Sequence, residues 1–200
     1  MKITAIKQQV RRADRYSVYV DEKYAFSLSE SALLEQRLAS GQEIDKVRLK
    51  DLKDVSGADK AYGNALRYAV MRPRSLWEMQ AYLKRKKIEE PVANDIVARL
   101  TKNNLINDTH FASAWIANRR LLKSTSKRRL ILELRQKHVS EHIIDAAMQD
   151  DVVSERDSLR QIVQKKHARY PDRTKFMQYL ARQGFGYDDI KFVFEENGIN

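Results

Sequence analysis

The sequence predicts a mainly α-helical protein, with three tandem three-helix-bundle repeats preceded by a small N-terminal segment of β-strands and short helices. Residues that favour strands are concentrated in the first 57 of the 200 residues. From residue 58 onward apolar residues recur at helical spacing, which is the primary signal of amphipathic helices. One pattern of helix cap and apolar positions occurs three times there, as expected of a repeat protein. We therefore divide the chain into residues 1–57, 58–108, 109–151 and 152–200.

The N-terminal segment has the composition of a small β-sheet. Two stretches, residues 3–10 and 16–20, are rich in strand-forming residues. Ala13-Asp14 lies between them, and these residue types are expected to turn a hairpin. Residues 21–23 predict a second turn, and residues 24–28 predict a third strand.

Two helices are expected after the strands. Ser29 can cap a short helix, which we expect to end at Gly41 because glycine favours the left-handed conformation that closes helices. A charged helix is expected over residues 45–55, and Gly57 then marks a boundary. The helical repeats are predicted to begin beyond this glycine.

The repeat consists of three segments with identical spacing. Each begins with a residue that can cap a helix, and apolar residues follow four, eight and thirteen positions later. The first copy has Ser75, Met79, Leu83 and Ile88, the second Ser126, Leu130, Leu134 and Val139, and the third Asp172, Phe176, Leu180 and Phe185. An amphipathic helix follows each segment, and helical stretches precede them at residues 61–70, 109–122 and 155–168. Three helices suffice for a bundle with one core.

The charge of the chain indicates an anionic partner. Lys and Arg number 38 against 27 Asp and Glu, which gives a net charge of +11, and such a surplus favours nucleic acid, a membrane surface or an acidic protein. The candidate contact residues are Arg72, Arg74, Lys84, Arg85, Lys86 and Lys87 in the first repeat, Arg119, Arg120, Lys123, Lys127, Arg128, Arg129, Arg135 and Lys137 in the second, and Lys165, Lys166, Arg173 and Lys175 in the third.

The central repeat carries the densest part of this charge. Eight bases lie between Trp115 and Ser140, where Glu133 is the only acid. Three of them, at residues 127–129, open a helix, where free backbone N–H groups can meet an anion. Trp77 and Trp115 stand at helical spacing beside apolar residues, so we expect both in the core rather than stacked on bases.

No catalytic or metal-binding motif is found. The chain has no cysteine and no glycine-rich phosphate loop followed by Lys and Ser or Thr. His138 and His142 are four residues apart, but a predicted turn separates them, so we expect no metal site. We therefore expect a non-enzyme without cofactors. The sequence predicts no signal peptide and no membrane span, which makes the cytoplasm the expected location.

Four segments resemble motifs of the RecX family of recombination regulators. They are residues 72–79, similar to R-x-R-S-x-x-E-L, residues 104–112, similar to G-L-I-D-D-x-x-F-A, residues 127–139, similar to R-I-x-x-E-L-x-x-K-G-I, and residues 179–185, similar to L-x-R-R-G-F. The N-terminal segment resembles an extension that some members carry. Asn104, Asn107, Thr125 and His138 depart from the glycines and aspartate of these motifs, and turn geometry in the second repeat could differ there.

The resemblance implies three tandem three-helix repeats in an elongated, curved array. It also implies a monomeric regulator that binds the groove of the RecA–DNA filament and inhibits its ATPase and strand exchange during recombination and repair. Single- and double-stranded DNA and RecA are the implied partners, and no membrane is involved. The residues by themselves leave three alternatives open: a helix-turn-helix transcription factor, a general single-stranded nucleic-acid binder, and a structural scaffold.

Overall fold

The computed structural model describes residues 1–199, and it confirms the predicted fold class. The three strands are β1 (Ile3–Gln9), β2 (Arg12–Val20) and β3 (Lys23–Ser29). The helices are α1 (Glu30–Glu35), α2 (Lys46–Val70), α3 (Leu76–Arg85), α4 (Glu90–Lys102), α5 (Asp108–Lys123), α6 (Lys127–Gln136), α7 (Glu141–Gln149), α8 (Glu155–Lys166), α9 (Arg173–Arg182) and α10 (Tyr187–Glu196). None of the helices described is long and apolar enough to cross a membrane.

The described residues form two compact units. The first unit comprises Met1–Met71 and Tyr82–Leu100. The second unit comprises Arg72–Ala81 and the chain from Thr101 onward. The second unit therefore includes the start of α3 and all helices from α5 to α10, and it contains most of the candidate contact residues.

The strands form one antiparallel sheet in the order β1-β2-β3. The predicted turn at Ala13-Asp14 is wrong, because both residues lie inside β2 and the pairing of Gln9 with Arg12 leaves a two-residue loop. Two-residue loops suit the twist of an antiparallel hairpin. The second turn is shorter than predicted, because Lys23 already pairs with Val20.

The helix α1 begins where it was predicted and ends early. The Ser29 side chain accepts a hydrogen bond from the backbone N–H of Ala32, which confirms it as the cap. The helix stops at Glu35 rather than at Gly41. Gly41 instead has a left-handed φ of 89° in the following loop, and its N–H donates to the carbonyl of Ile3.

The charged helix predicted over residues 45–55 is longer than expected, because α2 continues through Gly57 to Val70. Glycine in a helix costs about 1 kcal/mol relative to alanine, and contacts on both sides of Gly57 offset that cost. Ser56 Oγ donates to the carbonyl of Ser27 at 2.6 Å. The carboxylate of Asp59 pairs with the buried guanidinium of Arg15 at 2.8 Å. These contacts attach α2 to the sheet.

The repeats bury the apolar residues that the spacing selected, except Ile88, which is partly buried. Leu83, Leu134 and Leu180 are 1%, 0% and 0% exposed, which confirms the prediction for these positions. The second repeat has its own core, built around Phe111, Leu134 and Ile144, and the third has a core of the same kind. The interpretation of Trp77 as a core residue is wrong, because its side chain is 39% exposed. Trp115 is partly buried and packs against the core of the second repeat.

The turn after the middle helix has the same backbone in all three repeats. Lys87, His138 and Gly184 each stand twelve residues after the cap and have φ values of 56°, 56° and 97°. The following residue donates its N–H to the carbonyl of Leu83, Leu134 or Leu180, at 3.2, 3.2 and 3.3 Å. This is a Schellman closure, which favours glycine. His138 therefore adopts the glycine conformation, and the turn geometry of the second repeat is unchanged.

Candidate partner-binding surface

The start of α3 contacts the second repeat through a buried carboxylate. Glu78 is 7% exposed and accepts two hydrogen bonds from Arg72, at 2.9 and 3.0 Å, and one from Lys137 at 2.8 Å. The ring of Trp77 stacks on that of His138 with centroids 4.8 Å apart. The N–H of Leu76 donates to the carboxylate of Asp108 at 2.7 Å.

The start of α6 contacts the third repeat at the corresponding positions. The N–H of Lys127 donates to both carboxylate oxygens of Glu155, at 3.1 and 2.9 Å. Ser126 Oγ donates to the carbonyl of Gln183 at 2.6 Å, and the guanidinium of Arg129 donates to the side-chain oxygen of Gln183 at 3.0 Å. A Cβ on Gly184 would lie 2.6 Å from Ser126 Oγ, so this contact requires glycine.

The two junctions share one design. In each, the first N–H after the cap donates to a carboxylate at the first position of the next repeat's first helix, Asp108 in α5 or Glu155 in α8. The third residue after the cap bonds to the residue that stands eleven positions after the cap of the next repeat. These pairs are Glu78 with Lys137 and Arg129 with Gln183. The contacts therefore occur at the same positions in both junctions, although the side chains that make them differ.

The hypothesis that the start of α6 offers free N–H groups to an anion is wrong at two of its N–H groups. Glu155 already accepts from Lys127, and Ser126 Oγ accepts from the N–H of Arg129. The acid that binds this helix end is distant in sequence, since Glu155 lies 28 residues from Lys127. Anion binding here therefore depends on side chains.

The charge of Glu78 is stabilised by its partners. Burial acts to raise the pKa of Glu78, but the hydrogen bonds and positive charges of Arg72 and Lys137 outweigh burial and hold its pKa below the ordinary value of 4.5. A carboxylate with a lowered pKa stabilises the fold at pH values above its ordinary pKa. This contribution is lost as the pH falls through the pKa of the carboxylate in the folded protein.

We expect Glu78→Gln to lower the free energy of unfolding by about 1–3 kcal/mol near neutral pH, because charge-assisted hydrogen bonds are lost. Below pH 4.5 the difference from the unmodified protein should shrink, because Glu78 takes up a proton in the unfolded chain there while it stays ionised in the folded protein down to its lowered pKa. Urea denaturation at a series of pH values measures both effects. A difference that stays constant down to about pH 3 would show that the carboxylate charge contributes nothing.

Several predicted contact residues are engaged within the protein. Arg120 is only 8% exposed, and its guanidinium pairs with Asp151 at 2.6 Å, so it is withdrawn from the candidate surface. The other residues with carboxylate partners are Arg72 with Glu78, Arg119 and Arg129 with Glu133, Arg135 with Glu141, Lys137 with Glu78 and Lys175 with Asp172. Arg173 donates to the carbonyl of Ile199.

Four predicted residues converge on one cleft of about 350 Å³ in the second unit. Lys123 ends α5, Arg129 lies in the first turn of α6, and Lys165 and Lys166 end α8. We call this set of residues 123, 129, 165 and 166 the basic cleft. Its wall also contains Tyr179 and Gln183, which were not predicted as site residues. Gln183 could have been found, because it aligns with Lys137 in the repeat.

The remaining candidates lie elsewhere. Lys127 and Arg128 line a separate groove that also contains Glu155 and Asp189, so its charge is mixed. The cluster at residues 84–87 is exposed at the end of α3, and Arg74 is partly buried. No three His, Asp or Glu side chains among residues 1–199 are placed to hold a metal ion.

Comparison with known proteins gives one consistent result. Residues 1–45 match the family model described as the regulatory protein RecX N-terminal domain. Residues 61–100 and 107–148 match the models described as the first and second three-helix domains of RecX. Together these models cover most of the chain, and they match it in their family order.

Curated relatives and solved structures bear the same name. The regulatory protein RecX of Halalkalibacterium halodurans is 36% identical over 73% of this chain, which spans 56% of that relative's length. The regulatory protein RecX of Bacillus subtilis is 27% identical over 97% of this chain and 76% of the relative. A crystal structure of regulatory protein RecX superposes with a TM-score of 0.73 at 27% identity, covering 97% of this chain and 98% of that one.

Proposed function

Because the chain belongs to the RecX family of regulatory proteins, we propose that it is a non-catalytic regulator of the RecA recombinase that binds the RecA–DNA filament. We further propose that it inhibits the ATPase and strand exchange of the filament, as a cytoplasmic monomer acting in recombination and repair. The repeat limits 58–108, 109–151 and 152–200 are part of the same proposal.

The observation that carries this proposal is the repeated junction between like three-helix modules. Asp108 and Glu155 hold the starts of α3 and α6 in the same way, so the modules are joined by a recurring geometry. A filament also presents like surfaces at regular intervals. Several weak contacts made by linked modules add their effects through a high effective concentration, so no single strong site is required.

The alternatives are less well supported. A helix-turn-helix transcription factor usually places one reading helix per protomer in the major groove, and three modules in one chain do not fit that use. A general single-stranded nucleic-acid binder combines a basic groove with stacking aromatics. The ring of Trp77 is already stacked on His138, which leaves less aromatic surface for bases. A scaffold without nucleic acid does not explain a net charge of +11.

A pull-down tests the proposed partner. Immobilised protein is incubated with RecA alone, with RecA and single-stranded DNA, and with both plus a slowly hydrolysed nucleotide. We expect the strongest capture of RecA when DNA and nucleotide are both present, because only then does the filament offer a regular array of sites. Tight binding to one duplex sequence with no capture of RecA would instead support a transcription factor.

The run at residues 127–129 separates binding charge from structural charge. We expect Lys127, Arg128 and Arg129 changed together to Ala to keep the melting temperature, because the carboxylate of Glu155 binds a backbone N–H that alanine retains. The lost Arg129–Glu133 pair is only partly exposed but joins atoms 3.6 Å apart at i,i+4 and is worth about 0.2–0.5 kcal/mol, and the contact of Arg129 with Gln183 that is also lost is exposed. Removing bases from the first turn also relieves repulsion with the helix dipole.

The same triple variant should bind the filament or DNA more weakly at low salt, as measured by fluorescence anisotropy. Each lost phosphate contact flattens the salt dependence by about one unit on duplex DNA. If the variant unfolds, the run is structural. If it folds and binds like the unmodified protein, the three side chains are only a solvated surface.

A further inference from the structure

The basic cleft contains more positive charge than the protein neutralises. Lys123 and Lys165 make no side-chain hydrogen bond or ion pair within residues 1–199. Lys166 contacts only neutral groups, the hydroxyl and ring of Tyr179. Among the described residues that line the cleft, Glu133 is the only acid.

Glu133 cannot neutralise this cleft, because it is already used. It accepts hydrogen bonds from Trp115 at 2.9 Å and from Arg119 at 2.8 Å, and the guanidinium of Arg129 lies 3.6 Å away. Arg129 makes its shorter contact with the neutral amide of Gln183. Four cations therefore share one cleft with less than one available carboxylate, which favours a ligand with several negative charges.

The shape and walls of the cleft decide between a nucleic-acid strand and an acidic peptide. The walls come from four helices (α5, α6, α8 and α9), the loop of residues 124–126 and the turn after α9, so they offer no strand edge on which an extended peptide could pair. A volume of about 350 Å³ lies at the lower end of small-ligand sites, so the cleft is too small to enclose a duplex. Lysines act as point charges that suit successive phosphates.

We propose that the basic cleft binds the phosphodiester backbone of a single DNA strand. The proposal deepens the proposed function and rests on it for the choice of DNA as the polyanion. Lys123 and Lys165 stand at the two helix ends that border the cleft, and their unpaired ammonium groups contact phosphates. Arg129 and Lys166 add charge from the α6 and α8 walls. Contacts with RecA itself are then left to the other basic groups.

The test measures binding of a fluorescent oligothymidylate as a function of salt, without RecA. We expect the double variant Lys123→Ala, Lys165→Ala to flatten the slope of log K against log salt by about 1.4, because each phosphate contact on a single strand contributes about 0.7. The variant Lys123→Arg, Lys165→Arg keeps both charges and should restore the slope. Circular dichroism and thermal melting verify that the variants are folded.

The matched control is Lys50→Ala, Lys53→Ala, which removes the same charge from exposed positions of α2. An equal loss of slope in this control would overturn the proposal, because net charge alone would then explain binding. A cleft variant that keeps the DNA slope but loses capture of RecA would also overturn it and would indicate an acidic protein ligand. If the cleft variant behaves as expected while the unmodified protein leaves RecA unaffected, the cleft stands and the proposed function fails.

Discussion

Replacing Arg120 by Ala is expected to lower the free energy of unfolding by about 3–5 kcal/mol, because it leaves a buried carboxylate without its partner. The guanidinium of Arg120 contacts Asp151 Oδ2 through two nitrogens, at 2.9 and 2.6 Å. It also donates to the carbonyl of Thr125 at 2.7 Å and to Ser158 Oγ at 2.9 Å. These groups come from α5, the loops after α5 and α7, and α8, so one side chain holds the second repeat against the third.

Urea denaturation measures this loss, and two comparisons interpret it. Arg156→Ala breaks a pair with Asp189 in which both side chains are partly exposed, so its effect should be much smaller. Adding Asp151→Ala to Arg120→Ala should recover part of the stability, because no buried charge is then left unpaired. A loss for Arg120→Ala no greater than for Arg156→Ala would mean that the buried network contributes little.

Replacing Leu134 by Ala should lower the free energy of unfolding by about 2–5 kcal/mol, because it removes a core side chain and leaves a cavity. Leu134 is 0% exposed and belongs to the cluster with Phe111, Ile144 and Met148. Leu132 in the same helix is 53% exposed and is the control, since its truncation creates no cavity.

Because the pattern repeats, the prediction for Leu134 extends to the equivalent leucines of the other two repeats. Leu83 and Leu180 occupy the same place in the pattern and are also buried, so their alanine variants should lose stability in the same range. Chemical denaturation followed by circular dichroism measures all four variants. A loss for Leu134→Ala that does not exceed that for Leu132→Ala would contradict the alignment of the three repeats.

Local features of the fold were predictable because they depend on nearby residues. The caps Ser29, Ser126 and Asp172 each accept the backbone hydrogen bond expected of them. Buried positions followed from helical periodicity. The errors arose where distant contacts decide. Helix α2 passes through Gly57 because residues on both sides of it bind the sheet, and neither contact is visible as a local pattern.

The candidate site was predictable only as a set of charges. The sequence shows where bases are numerous, but it does not show which of them are buried, so Arg120 was grouped with exposed residues. The run at residues 127–129 also appeared to be one feature. A helix turns by about 100° per residue, and Arg129 therefore lines the basic cleft while Lys127 and Arg128 line another groove. The repeated contacts of Asp108 and Glu155 required the packing of neighbouring repeats.

The most direct test of the proposed function is the rate of ATP hydrolysis by RecA filaments already formed on single-stranded DNA. The protein is added from substoichiometric amounts up to one molecule per RecA protomer, and the variant with Lys127, Arg128 and Arg129 changed to Ala is assayed beside it. We expect hydrolysis to slow as the protein is added, and we expect the variant to require a higher concentration for the same effect. A hydrolysis rate that stays unchanged when the protein equals RecA in amount would contradict the proposal that this chain regulates the filament.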